Sequence, residues 1–142
     1  MKGYAATDVF TARELQLLEK ATKLVAAVSD DTAYVAAGEL IRCHELARAV
    51  GDVLHLPVVD GKFGSVEHSW LLTTLPNSAK RTAGFVPRPS ILDVYSVGRL
   101  PMVQLVDNVH WGLTAHKAYV EGEFRKDINT GVVERLLCQM KG

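Results

Sequence analysis

IRCHELARAVGDVLHLPVVDGKFGSVEHSWLLT (residues 41–73), followed after a loop by SILDVY (residues 90–95), is the stretch that decides how this chain folds. Its hydrophobic period changes part-way. Leu46, Val50 and Leu54 recur at helical spacing, whereas Val66 to Thr73 alternates, with His68 and Trp70 on one face and Glu67 and Ser69 on the other. A helix followed by half-buried strands is therefore expected, and the rest of the chain has to cover them.

Upstream, Thr11-Ala-Arg-Glu14 is a capping box, and Leu15, Leu18, Ala21, Val25 and Val28 recur behind it, which predicts a helix over Ala12 to Val28. From Ala33 to Leu54 two readings stay open. Val35, Ile41, Leu46, Val50 and Leu54 fit one long helical face, but Gly38 weakens it by up to about 1 kcal/mol relative to alanine. A break at Gly38–Arg42 places Cys43 at the head of a new helix; an unbroken helix buries it mid-way. Pro57-Val-Val reads as a strand, Asp60-Gly-Lys-Phe-Gly64 as a turn or bulge, and Val66–Thr73, Ser90–Val97 and Met102–Val106 as further strands. The proline-rich Leu75–Ser90 segment reads as a long loop, and Asn108–Glu123 as irregular with a short strand at Ala118–Val120. Asp127 or Asn129 caps a last helix striped by Ile128, Val132, Leu136 and Met140. The expected fold class is α+β in a single domain, 1–142: N-terminal helices packed on an antiparallel sheet of about four strands, with a C-terminal helix.

At 142 residues and 48% hydrophobic content, the chain is long and apolar enough to bury a core without a metal or disulfide. Sixteen basic and sixteen acidic residues cancel, which argues against nucleic acid or an anionic membrane as partner. Two cysteines, Cys43 and Cys138, are too few for a disulfide framework and read as free thiols. The N-terminus MKGYAATDVF has no signal-peptide core and no run is long enough to span a bilayer, so the expected compartment is the cytoplasm, with export by a non-classical route leaving the same sequence.

Cys43, His68 and Asp93 follow one another on a helical run, a strand and the next strand. A thiol nucleophile, its base and the group orienting the base can be assembled in that way. A helix of 12 residues from Cys43 runs about 18 Å, and a strand from Pro57 to Phe63 returns about 23 Å, so His68 lands back at the cysteine end. Pairing His68 opposite Asp93 puts Trp70 opposite Ile91 and Leu72 opposite Pro89. A cysteine heading a helix, His-x-Trp on a strand and an aspartate on the following strand resemble the transglutaminase-like branch of the papain-like cysteine enzymes. The resemblance spans about a third of the chain, from Cys43 to Tyr95, and is carried by Cys43–Ala49, Val66–Trp70 and Ile91–Tyr95. It implies a papain-like core with Cys43 as nucleophile, His68 as base and Asp93 as orienter, acting as a hydrolase or acyltransferase on an amide bond of a peptide or protein. The oxyanion would fall to the Cys43 backbone N–H at the helix start.

Bland readings stand beside these. Cys43 reads equally as a small buried hydrophobe and His68 as a core histidine held by Asp93. One residue along a helix, His44 points about 100° from Cys43 and is expected on the surface. Trp70 and Trp111 are candidate walls of a substrate groove, or core aromatics. Cys138, beside the Leu136–Met140 stripe, reads as packing. No pair among Cys43, His44, His55, His68, His110 and His116 has a recognised metal-ligand spacing, so no metal and no cofactor is expected. The rival function is a non-catalytic binding module on the same fold, with Trp111 and the Leu75–Ser90 loop facing a partner. The oligomeric state is not legible.

Overall fold

Thr11 and Glu14 cap each other as expected. The Glu14 amide donates to Thr11 Oγ1 at 3.1 Å and the Thr11 amide to Glu14 Oε1 at 2.9 Å, opening helix α1 (Ala12–Val28). The computed structural model describes residues 10–28, 42–73, 90–97, 100–106 and 119–141. Trp111, the Leu75–Ser90 loop short of Ser90 and the first part of the Ala33–Leu54 run lie outside the described residues.

Arg42 has extended geometry (φ −93°, ψ 149°), and helix α2 (Cys43–Leu54) starts immediately after it. Of the two readings, Cys43 as the first helical residue is therefore the one observed. Strands β1 (Val58–Phe63) and β2 (Val66–Leu72) follow, then β3 (Ile91–Val97), β4 (Leu100–Val106), β5 (Tyr119–Glu121) and helix α3 (Thr130–Lys141). The fold is α+β: three helices and a five-stranded antiparallel sheet of order β4-β3-β2-β1-β5 among the described residues. Asn129 caps α3, its Oδ1 accepting from the Val132 amide at 3.2 Å, while Asp127 is engaged by Arg125 at 2.7 Å.

Three details depart from the sequence expectation. Asp60 to Phe63 are strand, not turn: β1 and β2 pair over six positions from Val58↔Leu71 to Phe63↔Val66, leaving a two-residue connection at Gly64–Ser65. Gly64 takes φ +65°, the hand of turn that matches strand twist. Secondly, the short strand expected at Ala118–Val120 lies at Tyr119–Glu121 and makes a fifth member of a sheet expected to hold about four, pairing with β1 through Gly61↔Glu121 to Phe63↔Tyr119. Gly61 admits it, because a Cβ there would stand 2.1 Å from the Val120 carbonyl oxygen. Thirdly, β2 meets β3 through Leu71↔Leu92 and Leu72↔Ile91, two residues out of the expected register. A shift of two keeps every side chain on its face, since strand side chains alternate with period two. His68 and Asp93 stay on the same face but become diagonal neighbours.

The larger core joins one sheet face to the helices: Leu71, Leu92 and Val94 pack with Leu17, Ala21 and Val25 of α1, Leu46 and Val50 of α2, and Val132 and Leu136 of α3. On the opposite face Trp70, Leu72, Ile91, Val106 and Tyr119 form a smaller cluster. Gly61→Ala should force β5 away from β1 and cost about 1–3 kcal/mol, read as a lower urea midpoint with unchanged m; an unaltered midpoint would show that this close approach does not hold β5.

Candidate active site

The site begins where the sheet opens. β2 and β3 each run seven residues, yet they share two ladder pairs, followed by the Thr73 amide donating to the Ser90 carbonyl at 2.9 Å. In the other direction, from Ser69 and Val94 outward, the strands part. The Asp60 carbonyl accepts from the Gly122 amide at 2.8 Å, on the β5 side, so Asp60 and its partner Ser69 are not hydrogen-bonded to each other. The Ser69 N–H therefore points away from β1, into the parting. There it favours the thiolate form of Cys43.

The three residues picked from the sequence converge at this opening. His68 Nε2 lies 2.8 Å from Asp93 Oδ1 and 2.9 Å from Oδ2. Because the carboxylate only accepts, Nε2 carries the proton and Nδ1 is left for the thiol. The Cys43 thiol and the His68 imidazole each alter the other's proton affinity, the thiolate favouring the imidazolium and the imidazolium the thiolate. Burial pushes the thiol pKa up, but hydrogen bonds from His44 and His68, the charge of His68 and the Ser69 amide outweigh it and bring Cys43 down to about 6. Burial acts on His68 the other way, opposing its charge, and the Asp93 bond with that of Cys43 overcomes it to hold the imidazole up at about 9. Between those values the thiolate–imidazolium pair is the populated form.

Tyr119 was not among the expected site residues. Its hydroxyl donates to Asp93 Oδ2 at 2.7 Å. Burial first, and then the Asp93 charge, raise the phenol far above its ordinary pKa, so it remains a donor. Tyr119 sits on β5 and Asp93 on β3, three strand spacings apart, or about 14 Å in a flat sheet. Their contact requires the sheet to curl about this face. Phe63 and Trp70 fill the space beneath, with ring centroids 4.9 Å and 5.2 Å from that of Tyr119.

His44 is the main correction. Expected on the surface, it is 6% exposed, with Nδ1 2.8 Å from Ser69 Oγ and 3.7 Å from Cys43 Sγ. Helix α2 is walled in on nearly every side, so the 100° step from Cys43 to His44 leads to the sheet and not to water. Glu45 is likewise 1% exposed, gripped by the Arg42 guanidinium and by the Asn129 amide at 3.0 Å. Trp70, a candidate groove wall, is 1% exposed and stacks on His68 with centroids 6.0 Å apart, so it supports the base from below. Cys138 is exposed and not packed: two positions from Leu136, it turns about 200° from the buried stripe. The only signal for the missed residues was Asp60, a charge amid Val58 and Val59 that has to find a partner if buried.

Among the described residues no group of three or more His, Cys, Asp or Glu side chains could hold a metal ion, and no helix is long and apolar enough to cross a membrane. Comparison with protein-family models, curated proteins and solved structures gave no match.

Asp93→Asn should lower the His68 pKa from about 9, since burial still opposes the charge and only Cys43 remains to support it. An NMR titration of the ring protons checks this; a value still near 9 would assign the shift to another group.

Proposed function

We propose that this chain is a thiol enzyme of the transglutaminase-like, papain-like kind, a hydrolase or acyltransferase acting on an amide bond of a peptide or protein. One observation carries the reading: a cysteine in the first helical position is drawn toward its thiolate by a histidine whose far nitrogen is held by an aspartate at 2.8 Å. The helix N-terminus favours the thiolate, and an imidazolium beside it does so more strongly.

The chemistry follows from the protonation states. Cys43 thiolate attacks the carbonyl carbon, and the electron pair moves to oxygen. That oxyanion falls to the Cys43 backbone N–H, one of the helix donors without an intrahelical acceptor. His68 Nδ1–H then protonates the leaving nitrogen as the C–N bond breaks, giving a thioester and a free amine. Water or a second amine, deprotonated by the now neutral His68, releases the acyl group and restores the thiolate. Asp93 stabilises the imidazolium, and Tyr119 keeps the aspartate pointed at it.

Cys43 has a lowered pKa, so its active form is present above about 6 and is lost as pH falls through it. His68 has a raised pKa, so its acid form is present below about 9 and is lost as pH rises through it. Turnover should therefore form a bell between about 6 and about 9.

Alkylation by iodoacetamide, resolved by peptide, tests the reading without a substrate. At pH 6.5 an ordinary thiol of pKa about 8.5 is about 1% thiolate, and one of pKa about 6 is roughly 75%. Lower nucleophilicity offsets about tenfold of that gain. Cys43 should then react about five- to tenfold faster at pH 6.5 than an ordinary thiol, an advantage that His68→Ala reduces. If Cys43 titrates like Cys138 in the folded protein, the enzyme reading falls and the non-catalytic binding module takes its place.

A further inference from the structure

Two imidazoles reach the Cys43 thiol, and the surrounding hydrogen bonds leave only one of them able to take its proton. Asp60 is 3% exposed, and Arg48 grips both its oxygens, Nη2 to Oδ2 at 2.6 Å and Nη1 to Oδ1 at 3.1 Å. Burial works against this charge, but the Arg48 bonds, the Ser69 hydroxyl and the Arg125 amide hold the carboxyl below its ordinary pKa. An ionised carboxylate only accepts, so the single proton of Ser69 Oγ, 2.6 Å from Asp60 Oδ1, is committed to it. Ser69 Oγ can then only accept from His44 Nδ1, at 2.8 Å. The proton on His44 must sit on Nδ1, the nitrogen that also faces Cys43 Sγ at 3.7 Å.

We infer that His44 is a second catalytic residue with a role separate from that of His68: a fixed Nδ1–H donor to the Cys43 sulfur, locked in that tautomer by the Arg48–Asp60–Ser69 chain. It rests on the thiol-enzyme reading and adds to it a division of labour. His68 Nδ1 is free to take and return the proton, because Asp93 occupies its other nitrogen. His44 Nδ1 is already protonated and cannot act as base. It shares its N–H between Ser69 and the sulfur, favouring thiolate over thiol in the free enzyme and again each time the thioester is cleaved. The Ser69 residue serves twice, its hydroxyl fixing His44 and its backbone amide meeting the same sulfur. The charged and titratable groups around the pair are Arg48 on the same helix, Asp60 from β1, His68 from β2, Asp93 from β3 and Tyr119 from β5.

The test is the pH profile of Cys43 alkylation in the full chain, run on wild type, His44→Phe and His44→Asn. Phenylalanine keeps the bulk and removes the donor; the asparagine amide can place an N–H near the position of Nδ1. His44→Phe should shift the acid limb to higher pH and slow Cys43 at pH 6.5 by about fivefold or more, while His44→Asn should recover most of the rate. In wild type, nitrogen NMR should show neutral His44 with its proton on Nδ1, and Ser69→Ala should release it to a mixture of tautomers. A wild-type Cys43 that reacts like Cys138 would sink the thiol-enzyme reading itself. A wild-type Cys43 with a low limb that His44→Phe leaves in place would sink only the role given to His44. So would a proton found on Nε2, an observation that needs no variant to fold.

Discussion

A carboxylate inside the sheet is the constraint on which the rest of the structure depends. Asp60 is nearly sealed from water, where an uncompensated charge costs several kcal/mol. Its compensation comes from three directions: the Arg48 guanidinium on α2, the Ser69 hydroxyl on β2, and the Arg125 amide, 3.0 Å away in the segment after β5. Satisfying one charge thus fixes the helix, the hairpin and the return of the chain relative to one another. Arg48 also donates to the His44 carbonyl at 3.0 Å and lies 5.1 Å from the Phe124 ring centroid, which leaves it little freedom to let go. The helix start inherits that rigidity.

Electrostatics at the helix start then turn on a contest between burial and donors. Burial alone would give a protonated cysteine and a neutral histidine, the ordinary core residues of the bland reading. Donors clustered at the parted strands reverse both. The reversal has a particular linkage. His68, raised from about 6.5, contributes stability that is full below that value and lost as pH rises through about 9. Cys43, lowered from its ordinary range near 8.5, contributes stability present above that range and lost as pH falls through about 6. Between roughly 6.5 and 8.5 the two slopes cancel, because folded and unfolded states each hold one proton on the pair. The ion pair therefore adds little pH dependence to folding across neutrality.

Elements with a long, regular period were legible: α1 with its capping box, α3 with its stripe, and the strands carrying His68 and Asp93. Cys43, His68 and Asp93 were legible as a set because their order along helix and strands is itself a spatial statement. The register of β2 on β3 was not, since a displacement of two leaves the pattern of faces unchanged and only the pairs Leu71↔Leu92 and Leu72↔Ile91 distinguish it. β1 was cut short at Asp60-Gly because glycine and aspartate read as a turn; here the glycine makes room for β5 and the aspartate is paired from the helix.

The sequence by itself determined the α+β class, the first turn of α1, and three chemistry-bearing residues on neighbouring elements, because periodicity, caps and chain order are local properties. Only the tertiary structure decided that α2 begins at Cys43, that His44 turns inward, and that Tyr119 reaches Asp93 across a curled sheet. Those outcomes depend on contacts between residues 25 or more apart in the chain, Ser69 with His44 and Tyr119 with Asp93 among them. No local pattern encodes such contacts, since they exist only once the buried charge of Asp60 has brought helix and sheet together.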